Sequence, residues 1–417
     1  MAITDVTLRH LRAFFEVGCH GHVSPVAGIL FMSQPAISQA LAKFEARCGT
    51  ALFRRTSAGL SLTLTGTLLH ARTARALTFI DESIAKVSTR RHDAALLSRQ
   101  ITTTQLRTIV ALADHGNLTK GAQAIATSQP AMSRTLRELE KLCGRTLIEK
   151  TARGIVLTHT AETLVQGARL AFSELRQGMD EIRAVQGRDS SVLTIGSMPL
   201  ARSSILPKAL LSFATSHPEV AIRVIDGPYN DMMTGLRRGQ IDLLIGAMRS
   251  PPPFDDVVEA PCFRDRLSIV ARHGHPLANA ESLKAEDLRR YPWIVPRSGT
   301  PTRDYFDQFV ARQWDGAAPH LIETSSLILI RGLLVESDTL TMISDQQLVL
   351  DLDAKSLVRL RYELAASDRE IGMTYRRDWM PTKTQASFLK AITGAIKQLK
   401  LDDTGMEAMH PTSDGTT

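Results

Sequence analysis

The sequence of 417 residues predicts a multidomain chain: two copies of a small helical module, each followed by a long helix, and then a larger α/β domain. Residues 11–65 align with residues 106–160 at a constant offset of 95 without a gap. The alignment has 20 identities in 55 positions, where chance would give roughly three. Each copy is followed by an apolar stripe at helical spacing, and from about residue 190 strands alternate with helices.

The positive charge of the chain is concentrated in its repeated half. Residues 1–190 carry 24 Lys and Arg against 15 Asp and Glu, a net charge of +9, whereas residues 191–417 carry 26 against 28, a net charge of −2. A positive excess confined to repeated modules favours a polyanionic partner. Charge alone does not separate this interpretation from an ordinary solvated basic face.

The four cysteines lie far apart, at residues 19, 48, 143 and 262, and form no CxxC pair. Cys48 and Cys143 are equivalent in the two copies, which favours small buried apolar positions over a disulfide or a metal site. The N-terminal residues lack a charged region followed by an apolar run, and no stretch reaches transmembrane length. We therefore expect the protein to be located in a reducing cytoplasm and to bind neither a metal nor a cofactor.

Each module is predicted to contain three helices and a hairpin. The first helix carries a stripe of Leu8, Leu11, Phe14 and Phe15, or of Leu106, Ile109, Val110 and Ala113, and ends at Gly21 or Gly116. A short second helix is predicted to start at Ser24-Pro25 and at Thr119. Ser33 and Ser128 are predicted to cap a third helix that ends at Cys48-Gly49 and Cys143-Gly144. Two strands around Gly59 or Gly154 complete a winged helix-turn-helix, over residues 6–65 and 101–160.

The two long helices are predicted to be linker helices, over residues 66–100 and 161–188. Their stripes are too apolar for a free surface and too narrow for a globular core, so they indicate helix-pairing seams. The first linker helix would span roughly 50 Å at 1.5 Å per residue, and only a few residues connect its end to the second module. Our hypothesis is an antiparallel pair within one chain, which makes the chain a pseudo-dimer. The rival is pairing between chains.

The C-terminal region predicts βαβ units on a parallel sheet, over residues 190–400. One series of strands starts at Val192, and a second starts near Leu267. The chain is expected to return to the first lobe with a strand at 371–375 and a helix at 384–399. Residues 401–417 have little apolar content and are predicted to be disordered.

The third helix of each module is the predicted DNA-reading element, because a helix fits the major groove and Gln, Ser and Arg can bond to base edges. Basic side chains on the wing can contact DNA phosphates, which adds affinity but does not recognise the base sequence. The predicted DNA-binding residues are Ser33, Gln34, Pro35, Ser38, Gln39, Lys43, Arg54 and Arg55 in the first module, and Ser128, Gln129, Pro130, Ser133, Arg134, Arg137, Lys150 and Arg153 in the second. Any one of these residues could be an ordinary exposed polar residue, but the set occurs in both copies, which favours DNA contact.

The motif Ser-Gln-Pro-Ala-Met-Ser from Ser128, with Leu139-Glu140, Thr151-Ala-Arg-Gly154 and Leu157-Thr158, resembles the N-terminal domain of LysR-type transcriptional regulators. The strings IGSMPLARSSILPKAL, VIDGPY, LRRGQIDLLIGAM and YPWIVPRSGTP resemble that family's effector domain, in its galactose-binding-protein-regulator-like branch. The resemblance covers nearly the whole chain. The extra N-terminal module departs from the family, whose members usually carry one. The first copy is the weaker match, since Ala58 replaces a basic residue and Phe44 replaces Leu.

The resemblance implies a two-lobed, type II periplasmic-binding-protein-like domain with a small effector in the cleft. Open α/β sheets place ligands at strand C-termini and helix N-termini. The implied effector-binding residues are Ser197, Met198, Pro199, Tyr229, Gly246, Ala247, Pro296, Ser298, Gly299, Thr300, Thr324, Ser325, Ser326 and Ser344. The Ser and Thr residues could instead only cap helices. Arg297 and Arg303 could pair with an effector carboxylate, although surface salt bridges are the favoured interpretation.

The expected function is transcription regulation by a protein that binds double-stranded DNA, responds to a small-molecule effector and forms a homo-oligomer. RNA polymerase is a further partner that this function leaves open. An enzyme on the same fold is the alternative, but GxSxG, HExxH, P-loop and GxGxxG motifs are absent. A transport-type binding protein would leave the DNA-reading modules without a role. A sugar, an aromatic acid and an aliphatic acid all remain open as effector.

Overall fold

The computed structural model of the chain describes residues 6–88, 91–152, 154–203, 205–249, 251–316 and 319–407. The side chains of residues 91–93, 150 and 399–407 lie outside this description. The chain forms two compact units, one mainly of residues up to 192 and the other mainly of residues from 193 onward. Within the described ranges, no helix is both long and apolar enough to cross a membrane.

The N-terminal unit is built from helices and two small antiparallel hairpins. Its elements are α1 (Leu8–His20), α2 (Val23–Leu30), α3 (Gln34–Cys48), β1 (Phe53–Thr56), β2 (Gly59–Leu62), α4 (Leu64–Val87), α5 (Arg91–Gln100), α6 (Thr103–His115), α7 (Leu118–Ala124), α8 (Gln129–Cys143), β3 (Ile148–Thr151), β4 (Gly154–Leu157) and α9 (His159–Val185). The starts of α3, β1, β2 and α4 precede those of α8, β3, β4 and α9 by 95 residues each. The offset of the sequence is therefore kept in the fold.

The ends of the third helices are as predicted. The Ser33 hydroxyl accepts from the Ala36 N–H and the Ser128 hydroxyl from the Ala131 N–H, both at 3.3 Å. Gly49 and Gly144 end α3 and α8 in the left-handed region, at φ +66° and +62°. Each helix therefore has its first N–H groups and its last turn satisfied by local sequence.

The second helix of each module begins earlier than predicted. α2 begins at Val23 with His22 at the N-cap, and α7 begins at Leu118 with Asn117 at the N-cap. Pro25 fits inside the first turn of α2 because the N–H groups there have no partner within the helix. In α7 the Asn117 side chain accepts from two backbone N–H groups, which makes it a better cap than Thr119.

The first linker helix is not one helix over residues 66–100, as predicted, but two. α4 ends at Val87, and Ser88 has extended backbone at φ −79°, ψ 141°. A separate helix, α5, starts at Arg91. A Ser side chain can compete with helical hydrogen bonding, which explains a break at Ser88 that the apolar stripe alone does not reveal. Thr89 itself lies outside the described residues.

The two long helices α4 and α9 pack against each other within the chain, and they are antiparallel. A Cβ added at Gly178 would meet the side chains of Leu69 and Arg72, near the start of α4. At the other end, a Cβ added at Gly167 would lie 2.4 Å from the Cβ of Ser83. The seam is lined by buried apolar residues of both stripes: Leu69, Ala76, Ile80, Ile84, Leu164, Ala168, Leu175 and Ile182.

The C-terminal unit contains two five-stranded sheets. Its elements are β5 (Val192–Ser197), α10 (Pro199–Ser203), α11 (Ile205–Ser216), β6 (Ala221–Ile225), α12 (Tyr229–Arg237), β7 (Leu243–Ala247), β8 (Val257–Asp265), β9 (Leu267–Arg272), α13 (Ala285–Arg289), β10 (Trp293–Val295), α14 (Pro301–Gln313), β11 (Leu321–Glu323), α15 (Leu327–Glu336), β12 (Leu340–Ser344), α16 (Val349–Asp353), β13 (Leu357–Arg359), β14 (Arg369–Arg376) and α17 (Lys383–Glu407). The strand orders are β6-β5-β7-β14-β8 and β11-β10-β12-β9-β13.

Both sheets are mixed, which differs from the predicted parallel sheet. β5 pairs with β7, and β10 with β11 and β12, in parallel. β14 runs antiparallel to β7 and β8, and β9 runs antiparallel to β12 and β13. The antiparallel strands β8, β9, β13 and β14 are those that carry the chain from one sheet to the other and back. Each sheet with its helices forms one lobe.

The last helix is longer than predicted. α17 runs from Lys383 to Glu407 and so includes the first seven residues of the segment 401–417 that was predicted to be disordered. A helix propagates by one backbone hydrogen bond per added residue and does not require an apolar face at its end. Residues 408–417 lie outside the described part of the chain.

Candidate nucleic-acid interface and effector cleft

The third helix of each module presents a polar face and buries an apolar one. Ile37, Leu41 and Phe44 of α3, and Met132, Leu136 and Leu139 of α8, are buried. The predicted DNA-binding residues of the two helices and their caps are exposed, apart from the half-buried Ser133; they are Ser33, Gln34, Pro35, Ser38, Gln39, Lys43, Ser128, Gln129, Pro130, Arg134 and Arg137. The apolar face holds each helix on its module, and the polar face is free to meet a groove.

The side chains on α8 differ in how freely they can reach out. Arg137 Nε donates to the Ser133 carbonyl of its own helix at 3.3 Å, and Gln129 Nε2 lies 3.5 Å from the Ser133 hydroxyl. Arg134 has no hydrogen-bond partner among the described residues. On α1, burial together with Lys43 and Arg47 of α3 and with Arg9 lowers the pKa of His10, so this ring adds no charge near α3 at neutral pH.

The structure describes the predicted basic residues of the wings only in part. Arg54 and Arg55 lie exposed on β1. Lys150 lies on β3, but its side chain is outside the described part of the structure, and Arg153 is outside it altogether. The first wing therefore offers two cations where a wing can meet phosphates.

A glutamate near the end of the third helix connects that helix to the wing in each module, a role that was not predicted from the sequence. Glu45 Oε1 accepts from the N–H groups of Leu52 and Phe53 at 2.7 and 3.0 Å. Its equivalent Glu140 accepts from Leu147 and Ile148 at 2.8 and 3.4 Å. Each glutamate ties its third helix to the first strand of the wing. The signal in the sequence was the identity of the two copies at this position.

We expect Glu140→Ala to loosen the second wing. The buried N–H of Leu147 would lose its acceptor, at a cost of about 1–3 kcal/mol. Hydrogen exchange at the Leu147 and Ile148 amides should accelerate, whereas Glu140→Gln, which keeps an acceptor oxygen, should change it less. Equal exchange in the alanine variant and the parent would contradict this role.

The predicted effector residues gather where expected, at strand ends and helix starts of both lobes. Ser197 ends β5, Met198 follows it and Pro199 begins α10, while Tyr229 begins α12 and Gly246 and Ala247 end β7. Pro296, Ser298, Gly299 and Thr300 join β10 to α14, and Thr324, Ser325 and Ser326 join β11 to α15. Gly246 is required by packing, because a Cβ there would lie 2.2 Å from Cγ of Met198.

Several of these hydroxyls are already engaged. Thr300 caps α14 through the Arg303 N–H at 3.3 Å and donates to the Arg297 carbonyl at 2.9 Å. Ser325 accepts from the Arg297 N–H at 3.3 Å. Ser326, at the start of α15, makes no such capping bond and is exposed. Because the Ser326 hydroxyl does not cap α15, it can bond to a ligand.

Ser344 lies at a junction between the lobes. It is fully buried, and its hydroxyl donates to Asp265 Oδ1 at 2.5 Å. Arg369 Nε donates to the other Asp265 oxygen at 2.8 Å. Burial raises the pKa of Asp265, and attraction to Arg369 works against that rise. Asp265 ends β8 and Arg369 begins β14, so this cluster ties the two crossing strands at the hinge and leaves Ser344 no hydroxyl for an effector.

Sequence reasoning missed Arg249, which follows β7 by two residues. Its guanidinium lies 4.1 Å from the centre of the Tyr229 ring, and its Nη2 lies 3.4 Å from the carbonyl of Gly299 in the other lobe. The Tyr229 hydroxyl is buried with no partner among the described residues, and burial, with nearby Glu259, raises its pKa. The strand-end rule that selected Ala247 would have found Arg249 two residues further along.

Arg303 is committed to the protein and not to a ligand. It pairs with Asp307 at 2.8 Å and with Glu323 at 2.7 Å, as the surface-salt-bridge interpretation expected. The side chain of Arg297 is exposed.

The four cysteines do not pair with one another. All four thiols are free, and burial raises the pKa of Cys48 to about 12 and that of Cys143 to about 11. Among the described residues, no group of His, Cys, Asp and Glu could hold a metal ion.

Winged helices with exposed polar faces, joined in one chain to a two-lobed α/β domain, are the arrangement of a DNA-binding regulator controlled by a ligand. The family models agree: "Bacterial regulatory helix-turn-helix protein, lysR family" matches residues 8–67 and 103–162, and "LysR substrate binding domain" matches residues 186–396. The chain belongs to the LysR family of DNA-binding transcriptional regulators, and it is not an enzyme.

Relatives support the same assignment, and solved structures share the fold. The chain is 32% identical over 391 residues to the HTH-type transcriptional regulator GalR of Pseudomonas putida, covering 94% of this chain and 98% of the relative. It is 26% identical to the regulator PcaQ of Agrobacterium fabrum, over 73% of this chain and 98% of the relative. A full-length OxyR variant from Pseudomonas aeruginosa shares the fold at a TM-score of 0.53 and 19% identity, over 72% of this chain and 95% of that one. LysG from Corynebacterium glutamicum with bound effector Arg does so at a TM-score of 0.53 and 18% identity, over 71% and 98%.

Proposed function

We propose that the chain is a two-headed regulator, in which both winged helix-turn-helix modules bind duplex DNA and read an interrupted inverted repeat. The observation that supports this most is the pseudo-two-fold arrangement of α4 and α9, which joins two modules with exposed polar recognition helices in one compact unit. A dimer of single-headed proteins would present two heads in the same symmetric way.

The relatives support a duplicated module. The family model for the helix-turn-helix matches at two places, 95 residues apart. The alignment with the Pseudomonas putida GalR covers 94% of this chain, which leaves too few unmatched positions to omit either repeat. The galactose-regulator-like branch is part of the same proposal, and it rests on this relative.

The proposed effector is a small sugar or organic acid bound between the lobes, near Arg249, Tyr229 and Ser326. Arg249 and the uncapped helix start at Ser326 can both donate to ligand oxygens. Closure of the lobes about the Asp265 cluster would be the ligand's primary effect, and the heads would respond to it. Homo-oligomer formation and contact with RNA polymerase belong to this proposal as the further steps of regulation.

The test is binding to duplex fragments from around the protein's own coding region, over a salt series. Affinity should fall by about 10³ or more between 50 and 200 mM salt if the heads together contact six or more phosphates. Footprinting should show two protected half-sites, and the pair Gln34→Ala and Lys43→Ala should remove one of them. If the protein ignores such fragments at every ionic strength, the proposal fails.

A further inference from the structure

The seam between α4 and α9 contains a buried polar network. Arg72 is fully buried, and its Nη1 donates to Glu174 and to Gln177, at 2.9 Å each. Its Nε and Nη2 donate to the two oxygens of Glu181 at 3.0 and 2.8 Å. Glu174 and Gln177 are themselves only 3% exposed. One cation of the first helix is therefore held by three side chains of the second.

The network is charged in the folded protein. Burial acts against the charge of Arg72, but hydrogen bonding to Glu181 and attraction to Glu174 and Glu181 outweigh it and raise the pKa of the guanidinium. Arg75 places a second cation 3.1 Å from Glu174. A buried carboxylate thus depends on cations that come from the other helix.

The network exists on one side of the pseudo-two-fold axis only. At the offset of 95, Arg72 corresponds to Gly167, Glu174 to Phe79, Gln177 to Glu82 and Glu181 to Lys86. The contact related to the network by the axis is the close approach of Gly167 to Ser83 and to the Phe79 carbonyl. The two helices are therefore complementary to each other but not to themselves.

Pairing of like helices from two chains would break this complementarity. Two copies of α9 would place Glu174 and Glu181 at both ends against Gly167, which takes the place of Arg72. Two copies of α4 would place Arg72 against Phe79, Glu82 and Lys86, which replaces two carboxylates by one carboxylate and a like charge. Removing the partner of a buried charge is strongly unfavourable, so only the combination of α4 with α9 satisfies both helices.

We propose that Arg72, Glu174, Gln177 and Glu181 determine which helices pair: they direct α4 to α9 of its own chain and reject the like helix of a second copy. This is specificity obtained by penalising the wrong partner. The inference concerns assembly of the heads, and it holds whether or not both heads bind DNA.

Cysteine reporters at the axis test the proposal in the full chain. The contacts 72 with 178 and 83 with 167 place the axis beside Ala76 and its equivalent Ala171, which are both fully buried. With the exposed Cys19 replaced by Ser, the pair Ala76→Cys and Ala171→Cys should form a disulfide within one chain on oxidation. Ala171→Cys alone should give almost no product at twice the 45.8 kDa chain mass on a non-reducing gel.

An apolar network should lose specificity without losing the fold. In Arg72→Met/Glu174→Leu/Gln177→Leu/Glu181→Leu, apolar side chains replace all four members of the network and leave no carboxylate without its arginine, so stability should be kept. When Ala171→Cys is added to this variant, the disulfide-linked dimer on the non-reducing gel should increase by about tenfold or more. The reason is that two copies of α9 no longer bring unpaired buried charges together. Glu162→Gln, which removes one anion from an exposed position of α9 outside the network, should leave the product at the parent level.

A second variant creates the wrong pair directly. Gly167→Arg gives each α9 a cation that faces Glu174 and Glu181 of another α9, and its Cβ would clash with Ser83 in the normal pair. It should therefore raise the doubled-mass product, whereas Gly167→Leu has the same clash without the charge and should raise it much less. Equal products from the parent and the apolar variant, equal products from the two Gly167 variants, or a disulfide between chains in the two-cysteine protein would each overturn the proposal.

Discussion

Arg72→Met is expected to destabilise the N-terminal unit by about 3 kcal/mol, near the low end for the loss of one partner of a buried ion pair. The low end applies because Arg75 still reaches Glu174, at 3.1 Å. For a unit of this size the midpoint of thermal unfolding should fall by about 6–12 °C. Circular dichroism on heating and urea titration measure it.

Lys86→Met is the matched control, because Lys86 is an exposed cation on the same helix. It should change stability by no more than about 0.5 kcal/mol. An equal effect of the two substitutions would show that the Arg72 contacts contribute no more than a surface charge does.

Arg134→Ala/Arg137→Ala is expected to weaken binding to the operator by about 2 kcal/mol or more, or roughly 30-fold, if either arginine contacts a base edge. Both are exposed on α8, and Arg134 has no partner in the described part of the protein. Fluorescence anisotropy at several salt concentrations separates two roles. A base contact lowers the ratio of operator to random-DNA affinity, whereas each lost phosphate contact reduces the salt slope by about one.

The equivalent change in the first module is the control. Gln39 takes the place of Arg134 there, and Ala42 that of Arg137, so Gln39→Ala removes the corresponding polar group. It should cost less affinity, because a neutral amide adds no phosphate attraction. A larger loss from Gln39→Ala than from the arginine pair would contradict the expectation that the charged side chains of α8 contribute more to binding than the neutral amide of α3.

The local features of the two modules could be predicted from the sequence. Serine caps at Ser33 and Ser128 and left-handed glycines at Gly49 and Gly144 act within one turn of the residue concerned. The polar face of the third helix follows from periodicity in the same way. The break at Ser88 was missed because an apolar stripe can continue across two separate helices.

The buried polar groups could not be predicted. Arg72 meets Glu174 across 102 residues, and Ser344 meets Asp265 across 79, so no local pattern marks either pair. A charged residue within a helix ordinarily indicates a solvated face. The resemblance to binding proteins placed Ser344 at a strand end, but only the packing of the crossing strands shows that its hydroxyl is taken.

Two readers on one polypeptide stay together at any dilution, since the second binding event is intramolecular once the first has occurred. They are also unlike: only 20 of 55 aligned residues agree between the copies. A dimer of identical single-headed chains looks the same from either end of its site. If both heads bind DNA, this protein instead binds its site in one orientation. Two unequal half-sites would then determine towards which neighbouring gene the protein is oriented.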